Sequence, residues 1–190
     1  MGRVMSLSLG VILAAAAFGG DNTIGAKPGD FALQTTDGAE VKYAQLSGRV
    51  NVVMFIATGC PVSNAYNERM SALHREYAPR GVNFIFINSN ATEPAAVVAD
   101  HARKNGFPFT VYKDAGNAAA DLFQAQYTPE SFVLDQSGVV RYHGHIDDAQ
   151  NETRITRRGL RMALDALLSG KSVDPAETKA FGCTIKRKKS

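Results

Sequence analysis

Cysteine occurs twice in this chain, at Cys60 and Cys183, and the first stands where a thiol is most readily made reactive. The run Phe55-Ile56-Ala57-Thr58-Gly59-Cys60-Pro61-Val62-Ser63 closes a hydrophobic segment and opens an amphipathic one, which puts Cys60 at a strand-to-helix junction. There a sulfur faces unpaired backbone N–H groups and the positive end of the helix dipole, and both favour thiolate over thiol. Pro61 suits the first helical position, where its missing N–H costs nothing and its φ is already helical. The competing reading is a buried structural thiol, the commoner fate of an unpaired cysteine. The junction favours the reactive one.

His143 and His145 stand two apart on a predicted strand, so their imidazoles would share a face. Together with Cys60 and Cys183 they would offer the thiolate and imidazole ligands that copper or zinc takes, and a metal-binding chaperone is therefore the alternative to thiol chemistry. The plainer reading is a pair of solvated histidines at a strand end. His74 and His101 fall on predicted helical faces without a partner. Asn88, Ser89 and Asn90 follow a predicted central strand at its C-terminal end, where open α/β sheets place ligands, although an ordinary polar loop would read the same way.

The elements that must position these residues follow from periodicity and turn signals. Phe31–Leu33 and Val41–Tyr43 flank Thr35-Thr36-Asp37-Gly38 and predict an N-terminal β-hairpin. Val50–Ala57 is a nearly unbroken apolar run rich in β-branched residues, as a strand covered on both faces requires. Tyr66, Met70, Leu73 and Tyr77 recur at helical spacing between Val62 and a stop at Pro79 and Gly81. Val82–Asn88 predicts a second buried strand and Pro94–Lys104 a helix, which makes a βαβ pattern and a mixed α/β sheet. A short strand over Phe109–Tyr112 and a helix over Ala118–Gln124 come next. Ser131–Leu134 and Val139–His143 form a second hairpin around Asp135-Gln136-Ser137-Gly138, and Leu160 to Leu168 mark a last helix ending at Gly170. Residues 171–190 read as a polar, basic tail, flexible enough to fold back, that carries Cys183.

This order of elements, with a Cys-Pro junction and Thr128-Pro129 ahead of the second hairpin, resembles the thioredoxin superfamily over residues 28 to 170. The long N-terminal hairpin and Thr128-Pro129-Glu130-Ser131-Phe132-Val133-Leu134-Asp135 are most similar to the redoxin branch, the peroxiredoxin-like or AhpC/TSA-type proteins. The resemblance implies a thioredoxin-like α/β fold and a cis peptide bond at Pro129 facing the active sulfur. It implies Cys60 as nucleophile, with Thr58, Ser63, Thr128 and Pro129 around it and no cofactor. Thioredoxins carry a second cysteine three residues after the first; Ser63 stands there, so a local disulfide is impossible. Peroxiredoxins carry Thr or Ser three residues before their cysteine and Pro four residues before that, where this chain has Ala57 and Val53. Pro129 takes the place of an expected arginine. The only other cysteine to resolve an intermediate on Cys60 is Cys183, which would otherwise anchor the tail as a small apolar residue. Ser63 either hydrogen-bonds the Cys60 sulfur or is an ordinary early-helix serine.

Residues 1–20 form a block of their own, with Arg3, an apolar run from Leu7 to Phe18 and Gly19-Gly20, which reads as a secretory signal peptide. It leaves residues 21–170 as one redoxin domain. An uncleaved signal is the one route to membrane attachment that this reading allows. Export would place both thiols where disulfides persist, and two are too few for a scaffold. The net charge of +3 includes Lys186, Arg187, Lys188 and Lys189 at the very end, so the body is near neutral and no nucleic-acid role follows. These readings predict an exported thiol–disulfide oxidoreductase or low-specificity thiol peroxidase. Its substrates would be protein or small-molecule disulfides or peroxides, with an external thiol as reductant. A binding module that keeps the fold without the activity is the third class.

Overall fold

The structure is a computed structural model and describes residues 24–188; the predicted signal segment lies outside them. Strand β3 (Val50–Phe55) is buried at every position, as its apolar run requires. Its side chains alternate between two cores. Val52 and Met54 face one hydrophobic cluster, Val53 and Phe55 the other. The parallel neighbour β4 (Val82–Asn88) repeats the pattern, with Phe84 and Phe86 on the first side and Ile85 and Ile87 on the second. The helix α4 (Ala95–Lys104) joins β4 to β5 (Val111–Lys113), again parallel.

The rest of the sheet is antiparallel. Strand β7 (Glu130–Leu134) lies against β3, and β8 (Val140–Gly144) against β7. On the far side β1 (Ala32–Gln34) pairs with β5 and with β2 (Glu40–Lys42), which completes the predicted N-terminal hairpin. The seven strands run β2-β1-β5-β4-β3-β7-β8. The expected mixed sheet flanked by helices is present.

Tyr66, Met70, Leu73 and Tyr77 are all buried, as their spacing predicts, but the single expected helix is two. Helix α2 (Pro61–Asn64) ends in a tight turn in which the Tyr66 amide donates to the Ser63 carbonyl, and α3 (Asn67–Tyr77) starts afresh. The break is held from outside. Tyr66 donates its hydroxyl to Asp147, and the Arg69 guanidinium lies 3.7 Å over the Tyr66 ring while bonding both Asp147 oxygens at 2.7 and 2.8 Å. Tyr43 heads a short helix α1 (Tyr43–Leu46) rather than ending a strand. Phe109 stacks on Phe86 and Phe107, and the chain joins the sheet only at Val111. Helix α5 (Ala118–Leu122) packs on the second core, and α6 (Gly159–Leu168) on the first.

The tail departs most from expectation. Its backbone follows β8, with the His143 amide donating to the Ala176 carbonyl and the Thr178 amide to the His143 carbonyl. It then forms strand β9 (Cys183–Thr184) against β6 (Tyr127–Thr128), and Ile185 is buried in the second core. The basic end is fastened too. The Arg187 guanidinium pairs with Asp121 and donates to the Ala125 carbonyl, and the Lys188 amide donates to the Asn117 side chain. A solvated, flexible tail was expected from its polarity; instead backbone bonds to β8 and β6, the Arg187–Asp121 pair and the buried Ala180 and Ile185 hold it on the domain.

Candidate redox site

The segment that carries Cys60 leaves the sheet in an extended conformation and is held by its backbone. Ile56 donates its amide to the Ile87 carbonyl, and the Ala57 amide donates to the Ser63 hydroxyl at 3.2 Å. Cys60 is the N-cap of α2, with Pro61 at the first helical position as predicted. The Ser63 amide donates to Cys60 Sγ at 3.2 Å. The helix-start interaction foreseen for this sulfur is therefore made by the backbone of Ser63, while its hydroxyl steadies Ala57. Thr58 takes part through its backbone, its carbonyl accepting from the Asn64 side chain at 2.9 Å.

Thr128-Pro129 is cis, as the resemblance implied, and brings the Thr128 carbonyl oxygen to 3.3 Å from Cys60 Sγ. That oxygen is an acceptor for an S–H once the sulfur is reduced. Glu130, almost fully buried, shapes this turn. One carboxylate oxygen accepts from the Gln126 and Tyr127 amides at 2.6 and 2.8 Å, and the other lies 2.7 Å from His143 Nε2.

Cys60 and Cys183 form a disulfide across 123 residues of chain, with Cα atoms 5.9 Å apart, an ordinary spacing for such a bond. Cys60 is 2% exposed, covered by the tail. The pairing arises because β9 lies antiparallel to β6 with Cys183 opposite Thr128. Close approach is needed. A Cβ at Gly182, whose φ is 154°, would overlap the Thr128 carbonyl oxygen and lie 2.7 Å from its carbon.

Beneath the Cys60 loop lies a polar network that the sequence did not reveal. The Glu93 carboxylate, 8% exposed, accepts from the Thr58 amide at 2.8 Å, the Gly59 amide at 3.0 Å and the side chains of Asn88 and Asn90. Burial pushes its carboxyl up, but the hydrogen bonds from Thr58, Asn88, Asn90 and Gly59 together outweigh it and hold it below its ordinary range. Lys113 Nζ, also buried, donates to the Asn88 side chain at 2.8 Å and to the Asn90 carbonyl at 2.6 Å; desolvation lowers its pKa, with Glu93 and Asp114 acting in the opposite sense. Asn90 joins this network to the tail, its Oδ1 accepting from the Lys186 amide at 2.7 Å. Asn88 and Asn90 thus serve the site as structural partners, while Ser89 donates its hydroxyl to Asp114 at 2.8 Å. The only signal for this in sequence was their place at the end of a central strand.

The histidines do not join the cysteines. Gly144, at φ 144°, turns the chain, so His145 lies beyond β8 rather than on one face with His143. His143 stacks on Phe132 and faces Glu130, and His145 Nδ1 faces the Lys179 carbonyl. Among the described residues no three His, Cys, Asp or Glu side chains are grouped to hold a metal ion. His101, expected to lack a partner, has Nε2 2.9 Å from the Asn64 side chain, and His74 packs edgewise on Phe84.

The arrangement joins one sulfur at a helix start beside a cis-proline to another on a strand laid across it, the geometry that thiol–disulfide chemistry would use. The chain is similar to several known proteins. An uncharacterized conserved protein from Geobacillus kaustophilus superposes with a TM-score of 0.82 at 30% identity, covering 88% of this chain and 94% of that one. A hypothetical protein from Sinorhizobium meliloti gives 0.81 at 31% identity, with 88% and 96% covered. The thiol-disulfide oxidoreductase ResA of Halalkalibacterium halodurans is 26% identical over 115 residues, which span 60% of this chain and 64% of that protein. Residues 24–143 match the AhpC/TSA family, and with that match running from the N-terminal hairpin through the Cys60 junction to β8, the chain belongs to it.

Proposed function

We propose that this chain is an exported thiol–disulfide oxidoreductase with Cys60 as its nucleophile and Cys183 as its resolving thiol. The disulfide between a helix-start cysteine and a tail strand seated beside a cis-proline carries this reading. The Cys60 thiolate attacks one sulfur of a substrate disulfide, that S–S bond breaks, and the other sulfur leaves as a thiolate. The Cys183 thiolate then attacks Cys60 Sγ and expels the first substrate sulfur, so the substrate gains two electrons and the Cys60–Cys183 pair loses them. An external dithiol restores the pair. The name of the ResA relative supports this chemistry, and the apolar segment at Leu7–Phe18 supports export. Disulfide exchange is favoured over peroxide reduction because both hydrogen-bonding partners of Cys60 Sγ are backbone groups and neither is an arginine side chain.

The test uses single cysteine variants. Cys183→Ser, treated in reduced form with a disulfide-bonded protein, is expected to accumulate mixed disulfides on Cys60, and Cys60→Ser to show no disulfide reductase activity while staying folded. Reductase activity retained in Cys60→Ser would overturn the proposal.

A further inference from the structure

The Arg69 guanidinium is almost fully committed. Its Nη1 donates to both Asp147 oxygens and the Ala149 carbonyl, and its Nη2 donates to the Ala65 and Gln150 carbonyls. Its Nε–H, by contrast, is buried without a hydrogen-bond partner in a side chain only 9% exposed. Glu152 Oε1 stands 3.6 Å from it, past hydrogen-bond reach, on a side chain that is 65% exposed. A buried, charged donor left unpaired in this way costs free energy that an incoming acceptor would return.

Arg69 lines a cavity of about 210 Å³ between α3 and the start of α6. Ala72, Leu73 and Ile146 give it apolar walls, and Glu152, Arg158 and Arg161 close its polar side. Arg161 spends its guanidinium on both Glu76 oxygens, but the exposed Arg158 side chain has no ion pair among the described residues. Arg158 is also the N-cap of α6, a helix of 10 residues with no side-chain cap, so the positive end of that dipole lies at the same rim.

We propose that this cavity is a binding site for a small organic carboxylate, separate from the redox centre and independent of the exchange reading. One carboxylate oxygen accepts from the Arg69 Nε–H, the charge meets the Arg158 guanidinium, and the organic body lies on Ala72, Leu73 and Ile146. A single negative charge is the match. Asp147 and Glu152 both line the cavity, so a dianion such as phosphate meets more repulsion than its second charge gains from one unpaired arginine. Glu152, exposed at the mouth, competes with the ligand rather than filling its place.

The test titrates benzoate, benzamide and inorganic phosphate into the oxidised protein by calorimetry, with amide chemical shifts recorded by NMR to locate the binding. Benzoate is expected to saturate a single site with a dissociation constant on the order of 1 mM, as its size allows, and to shift the amides of Ala72, Leu73 and Ile146. Benzamide, the same shape without the charge, and phosphate are each expected to bind at least about tenfold more weakly. Arg69 anchors a buried ion pair and its replacement would disturb the fold, so the variants are made at the rim. Arg158→Gln is expected to weaken benzoate about tenfold, and Glu152→Gln, which removes the competing carboxylate, to strengthen it about threefold. Absence of saturation by benzoate, equal affinity for benzamide, unchanged affinity in Arg158→Gln or weaker binding in Glu152→Gln would overturn the site. Phosphate binding more tightly than benzoate would overturn the carboxylate assignment. No arm of the experiment uses the cysteines, so its failure leaves the exchange chemistry untouched.

Discussion

Two carboxylates hold the site together at the scale of single residues, and neither touches the reacting sulfur atoms. Glu93 satisfies two consecutive amides just ahead of Cys60, while Asn88 and Asn90 complete its coordination. Replacing it by glutamine keeps the shape but turns an acceptor into a donor facing donors. Glu93→Gln is expected to cost about 3 kcal/mol at neutral pH, measured by urea unfolding. The pH dependence has a definite sign. The folded pKa of Glu93 lies below its ordinary value of 4.5, so its contribution is complete above that value and is lost as pH falls through the folded pKa. The gap between wild type and Glu93→Gln should therefore hold from neutral pH to about 5 and close below it. A gap that persists in acid would place the loss elsewhere. Asp147 is the second carboxylate, 2% exposed and bonded to Arg69 and Tyr66. Asp147→Ala strands a buried guanidinium and is expected to cost about 3–5 kcal/mol.

At the scale of elements, the sequence was informative wherever a local rule operates and silent where distant segments meet. The apolar runs at Val50–Phe55 and Val82–Asn88, the proline after Cys60 and the glycine turns announced the sheet and the junction because each acts within a few residues. The break between α2 and α3 was hidden because its cause, Asp147, lies 81 residues from Tyr66. The strand by which the tail docks was hidden for the same reason: one as short as Cys183–Thr184 has no periodicity, and its partner at Tyr127–Thr128 is equally brief. Glu93 was invisible because one acidic residue in a polar loop reads as solvated. The β6–β9 pairing is small enough to depend on its closest contact. In the otherwise unaltered chain, Gly182→Ala is expected to weaken the Cys60–Cys183 bond, so that dithiothreitol reduces it at roughly tenfold lower concentration. Redox titration with thiol trapping measures this, and an unchanged midpoint would mean that the strand yields without strain.

For the molecule as a whole, the disulfide closes most of the chain into one loop, and the loss of unfolded-state freedom makes the oxidised form the more stable. Opening it is expected to lower stability by roughly 2–5 kcal/mol and the melting temperature by about 10 °C, read by calorimetry on oxidised and reduced protein. Equal melting temperatures would mean that tail docking alone secures the fold. The way the tail leaves the domain bears on the kinetics of that opening. Residues 176–178 are fixed to β8 by the backbone bonds at His143, by the Tyr142–Thr178 hydroxyl contact at 2.7 Å and by the glycine at 144, where a side chain would collide with Thr178. A lifted tail therefore swings from Thr178, five residues before Cys183, and its sulfur stays within roughly 20 Å of that pivot. Confinement to such a volume corresponds to an effective concentration on the order of 50 mM for Cys183 at Cys60. A free thiol at micromolar level cannot compete with that, so mixed disulfides on the wild-type protein should be short-lived, and the tether acts as a clock that sets how long a partner stays bound.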